Sequence, residues 1–233
     1  MPSKRRRQAR RAGLLYGFMI LIGLPGLILV PGKLIVDGNA ALTADAIRAA
    51  ESLFRLGLAS ELAYDVVYLY VGLALYGLFE EVDRSLAAQM VLLVVCSIPI
   101  VFCGVVSELG ALILMSGPAF LSAFTKAQLD SMAYLFLQMH DKGIGVVEVF
   151  WGLWLAPFGL LVMRSRFLPK ALGVLLLIAV PGNLLRVVTT LFPSLHATAL
   201  PALANLLVLG ELPIFVWLLI WSFLPERSEP VTA

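Results

Sequence analysis

Apolar runs separated by short polar connections fill most of this chain, and six of them are long enough to cross a bilayer as helices. The first is predicted from about Gly13 to Val30, with Gly13 and Gly17 spaced as a small-residue packing pair and a kink at Pro25. Pro31-Gly32 is expected to end it. The second covers about Leu56 to Phe79 and leads into the polar turn Glu80-Glu81-Val82-Asp83-Arg84. The third, about Leu86 to Met115, is long for a span and carries Pro99 near its centre, so tilting or kinking is expected. The fourth to sixth are predicted at about Gly143 to Met163, Ala171 to Leu191, and Leu200 to Phe223, the last with Pro213 inside.

Two weaker patterns lie between the spans. Thr43 and Asp45 are suited to capping a short amphipathic helix, with Ile47, Leu53 and Phe54 on one side and Arg48, Glu51 and Arg55 on others. A second such helix is predicted from Thr125 to about Gln138, leading into the fourth span. The two regions align at an offset of 82, with Thr43 over Thr125 and Leu53-Phe54 over Leu135-Phe136, which suggests a parallel duplication.

Composition supports a membrane protein: 61% of residues are hydrophobic and 14% charged, against about 25% charged in soluble domains. The fold class expected is therefore all-α, a six-helix transmembrane bundle with two amphipathic helices on its outer face. Residues 1–12 read as a basic cytoplasmic tail, 13–224 as one membrane domain and 225–233 as a short cytoplasmic tail. Eleven Lys and Arg, including Lys4, Arg5, Arg84, Arg164 and Arg227, fall on the side of the amino terminus. Lys33, Arg48, Arg55 and Lys126 fall on the other. That asymmetry places both termini in the cytoplasm. Cys96 and Cys103 lie about 10 Å apart along one helix, too far to bridge, and read as packing residues.

An ionisable side chain at mid-membrane costs at least about 2.5 to 3.5 kcal/mol on insertion scales, so each such residue needs a reason to be there. The second span carries Glu61, Asp65 and Tyr68 on one face, and the third carries Glu108. The fourth begins beside His140, Asp141 and Lys142 and carries Glu148. The fifth carries Asn183 and Arg186, and the sixth Asn205 and Glu211. Most fall in the half of the membrane away from the termini, which predicts one polar pocket open to the outer face. Arg186 is expected to point inward and contact one of the acids. His140 reads as an interfacial histidine rather than a metal ligand, and His196 as solvated; no metal site or cofactor is expected.

Five segments resemble a bacterial family of unknown function, DUF4386. They are Arg11-Ala12-Gly13-Leu14-Leu15-Tyr16, Leu53-Phe54-Arg55-Leu56-Gly57, Phe150-Trp151-Gly152-Leu153, Arg164-Ser165-Arg166-Phe167-Leu168-Pro169 with Leu172-Gly173, and Gly210-Glu211-Leu212. The resemblance implies a small polytopic protein of the bacterial plasma membrane and a histidine at His140. It implies no activity, and Glu148 and Trp154 depart from its pattern, where an apolar residue and a histidine are common.

Three functions fit these readings. The pocket binds a small ligand or cation, as a carrier, transporter or sensor; or its carboxylates act on a lipid or isoprenoid head group; or the buried ions are structural glue in a partner-binding protein. The lipid bilayer is the expected environment, and nothing points to nucleic acid. No P-loop, dinucleotide fingerprint or nucleophile triad is present. The oligomeric state stays open.

Overall fold

The computed structural model describes residues 4–223, so the expected tail from 225 and its Arg227 lie outside the described residues. Helix α1 (Lys4–Leu24), a π-helical turn (Pro25–Leu29) and α2 (Val30–Leu34) form the first span. A short surface helix, α3 (Ala40–Ala49), precedes α4 (Glu51–Phe79) and α5 (Arg84–Ser116). Then α6 (Lys126–Leu153) and α7 (Leu155–Arg164) make the fourth span and α8 (Lys170–Leu191) the fifth. The sixth combines α9 (Leu200–Val208), a 3₁₀ turn (Leu209–Glu211) and α10 (Leu212–Phe223).

Among the described residues these are six helical stretches long and apolar enough to span a membrane. The protein is a multi-pass membrane protein. Its outward faces carry Leu21, Leu92, Val106, Leu206 and Ile220 exposed, as hydrocarbon favours and water does not. Of the small pair of the first span only Gly13 sets a close approach: a Cβ there would lie 3.1 Å from the Leu219 backbone nitrogen of α10, whereas one on Gly17 would meet Phe215 at an ordinary 3.6 Å.

Several boundaries differ from the sequence reading. Residues 4–12 are helical and continuous with α1, with Ala9 and Ala12 buried against the bundle and Lys4 bonding Glu81 at 3.1 Å. That bond holds the Glu81 carboxyl below its ordinary range. Pro31-Gly32 does not stop the helix, since Pro31 falls in the first turn of α2, where a missing N–H costs nothing. Asn39, not Thr43, caps α3 by accepting from the Leu42 N–H at 3.0 Å; Thr43 is buried and bonds the Val36 backbone. The chain breaks at Ala50, so Ile47 belongs to α3 and Phe54 to α4. The second amphipathic segment, by contrast, starts at the Thr125 capping box and continues into its span as the sequence reading has it, as one helix. Cys96 and Cys103 are exposed on the bundle surface rather than packed.

The apolar core comes in two parts. One, around Tyr16, Tyr68, Phe79, Trp154 and Phe158, fills the half toward the start of α1. The other, around Ile47, Phe54, Val105, Ala111 and Leu137, fills the half under α3. Glu61 and Asp65 follow Leu58 and precede Tyr68 on α4, while Ser97 and Glu108 flank Val105 on α5, so buried polar groups lie where the two cores meet.

Candidate functional site

The Pro25 turn sets the position of Glu61. Proline has no N–H and its ring crowds the carbonyl one turn back, so the helix there must open. Ser60 of α4 fills the opening: its hydroxyl accepts from the Gly26 N–H at 3.1 Å and donates to the Ile22 carbonyl. Those two backbone groups would bond each other in an unbroken α-helix. A Cβ on Gly26 would lie 2.6 Å from the Gly57 carbonyl oxygen, so only glycine permits this contact. With α1 and α4 locked at Ser60, the next side chain, Glu61, turns into the bundle and is 2% exposed.

Helix α5 contributes Glu108 and, one turn earlier, Gly104. Helix α6 brings the imidazole of His140 over Gly104; a Cβ there would stand 2.8 Å from Nδ1. The ring therefore lies between two carboxylates, with Nε2 3.6 Å from Glu61 Oε1 and Nδ1 3.6 Å from Glu108 Oε2. Both separations exceed the reach of a direct hydrogen bond. Glu61 Oε1, Glu108 Oε2 and His140 Nδ1 are buried without a hydrogen-bond partner among the described residues. Both oxygens of the fully buried Asp65, one turn along α4 from Glu61, share that condition.

Glu108 and His140 line a cavity of about 650 Å³ that reaches Asp37 at the α3 end of the bundle, with Gly26, Gln138, Asp141 and Lys142 on its wall. Glu61 stands behind His140. A second cavity of about 200 Å³, lined by Gly145, Glu148, Arg186, Thr190 and Asn205, shares Asp141 and Ile144 with the first.

The single pocket expected from the sequence is thus divided. Arg186 does contact an acid, Glu148, at 2.9 Å, although its side chain is 42% exposed while that of Glu148 is 6% exposed. Lys142 is taken by Asp141 at 2.8 Å. Glu211 bonds the Tyr16 hydroxyl in the aromatic cluster that joins Tyr16, Tyr68 and Trp154. The Asn183 amide donates to Ala179 on its own helix at 3.1 Å, and Asn205 is exposed. Helix rotation sends side chains at similar depth into different seams, and spacing alone does not show which.

Residues missed in the sequence include Ser60, Gly26, Gly104, Tyr16 and the surface network under α3. A proline inside a span implies that a neighbouring hydroxyl must satisfy the freed backbone, and that was the available signal for Ser60. In the surface network Arg48 bonds Asp130 and, at 3.0 Å, the Met115 carbonyl, while Lys126 bonds Asp45 at 2.9 Å and Asp130 at 2.8 Å. The Lys126 bond holds the Asp45 carboxyl below its ordinary range.

A family profile described as "Domain of unknown function (DUF4386)" matches residues 11–221. The chain belongs to this family. No curated protein and no solved structure matches the chain. The family assignment carries no activity, so the chemistry available to this DUF4386 protein has to be read from its own polar groups. Two carboxylates and an imidazole on three helices can hold a cation, share protons or orient a polar ligand.

Proposed function

We propose that this DUF4386 protein binds a small cation or polar ligand in the cavity above Glu108 and His140, as a carrier, transporter or sensor. One observation carries the reading: Glu108 and His140, each with a buried polar atom without a hydrogen-bond partner, stand on the wall of a cavity large enough for a small solute, with the unpartnered Glu61 oxygen 3.6 Å from the ring. A carboxylate so placed needs a positive charge or a proton. The nearby cations Arg186 and Lys142 already pair with Glu148 and Asp141.

The basic residues favour a cytoplasmic amino terminus, which turns the cavity mouth and α3 to the outside of a bacterial plasma membrane. Reporter fusions to the carboxy terminus test that topology. Binding is tested by thermal shift in detergent across inorganic cations and small polar solutes. A stabilising ligand whose effect disappears in Glu108→Gln is the expected result. A folded protein that responds to nothing in the panel contradicts the reading.

A further inference from the structure

Resting on that reading, we propose that Glu61, Glu108 and His140 form a site for one divalent transition-metal ion of the zinc class. The donor set is the first argument: imidazole nitrogen and carboxylate oxygen are what such ions take, and three protein ligands with one open position describe a reactive rather than a structural site. One donor atom from each residue lies within 4.8 Å of the other two. Metal–ligand distances of about 2.0–2.2 Å set a tetrahedral edge of about 3.3–3.6 Å and an octahedral diagonal of about 4.0–4.4 Å. The 3.6 Å approach of one ring nitrogen to its carboxylate matches the edge; the two approaches are made by opposite nitrogens, so the second carboxylate has to move toward the ligating nitrogen to close a single shell.

The surroundings are the second argument. The side chains of Glu61 and Glu108 are 3% and 8% exposed, and each turns an unpartnered oxygen toward the imidazole. Separations of 3.6 Å are too long for hydrogen bonds, and they serve as ion pairs only with a protonated imidazole. An ion bound at the three residues gives each of these groups a partner. Glu108 and His140 sit on the cavity wall with Glu61 behind the ring. An ion held there would lie beside the cavity, from which water or a solute would complete its shell. Gly104 is a positioning residue, since any larger side chain would occupy the space of the ring.

The test is a titration of tag-free, chelator-treated protein in detergent with Co²⁺, followed by its visible absorption bands, and with Zn²⁺ in competition. One equivalent per chain is expected, with affinity lowered tenfold or more in His140→Ala and in Glu108→Gln and unchanged in the surface variant Glu51→Gln. Circular dichroism and size exclusion verify that each variant is folded, and His140→Gln replaces His140→Ala if the latter is not. The assignment is overturned if folded wild-type protein takes up neither ion, or if binding persists undiminished in both site variants. If the ions fail but another solute gives a thermal shift that Glu108→Gln abolishes, the metal assignment falls and the ligand-binding cavity stands. Silence toward ions and solutes alike removes both.

Discussion

Ser60→Ala removes one oxygen atom and leaves two backbone groups at the Pro25 turn without a partner. In the native protein that hydroxyl links the Gly26 N–H to the Ile22 carbonyl. Interhelical hydrogen bonds in membranes average about 0.6 kcal/mol and reach about 1.7, so losing two gives about 1.2 to 3.4 kcal/mol. A buried group left unmet costs about 1–3 kcal/mol by the soluble-protein measure, so two cost about 2–6. The two scales overlap at a destabilisation of about 2–3 kcal/mol. Steric-trapping or detergent-titration unfolding in bicelles measures it. Ser97→Ala is the control, because the buried Ser97 hydroxyl only donates to Val94 on its own helix at 2.7 Å, and its loss should cost under about 0.5 kcal/mol. Pro25→Ala permits the helix to close across the turn, so the cost of Ser60→Ala should shrink in that background. Equal effects of Ser60→Ala and Ser97→Ala, or no coupling to Pro25, would refute the bridging role.

Other perturbations test the remaining parts. Arg186→Leu strips the partner from the buried Glu148 carboxylate; since the guanidinium is partly exposed, the loss should be about 1–3 kcal/mol rather than the 3–5 typical of fully buried pairs, with part recovered by adding Glu148→Gln in the same unfolding assay. Gly104→Ala should displace the His140 ring and weaken ligand binding tenfold or more while changing stability by less than about 1 kcal/mol, because alanine also favours the helix; unchanged binding would dismiss Gly104 as a positioning residue. The Asp45 and Glu81 carboxyls are held below their ordinary values, so their contacts are fully present above the unfolded value of about 4 and are lost as pH falls through the lower folded value. Hydrogen exchange of α3, corrected for intrinsic rates, should accordingly stay constant from about pH 8 to 5 and rise below about 4; loosening near neutrality would contradict that assignment.

The spans were legible because a bilayer demands about twenty apolar residues in a row, and no other feature of the chain competes with that signal. Their ends were less so. Pro31-Gly32 looks like a stop, but a proline that opens a new helical turn does not stop one. The polar residues Gln138, His140, Asp141 and Lys142 lie inside the unbroken α6, and spacing alone does not show that they line one cavity. At the site, burial of Glu61, Asp65, Glu108 and Glu148 follows from their place in apolar runs. Their grouping does not. The rotation of α6 puts His140 between Glu61 and Glu108 and gives Glu148 to Arg186, and that rotation is set by glycines such as Gly104 and Gly152, whose Cβ would lie 2.7 Å from that of Asn183. In an alignment of helix faces drawn from one sequence these glycines are merely small residues.

Crystals of zinc-treated protein measured on both sides of the zinc absorption edge test the central claim, that three helices bring Glu61, Glu108 and His140 together to bind. The account predicts one anomalous peak per chain within about 2.0–2.2 Å of donor atoms of all three residues. A well-ordered map with the three side chains in place and no peak between them, or with zinc only at exposed groups such as His196 or Asp45, would contradict it.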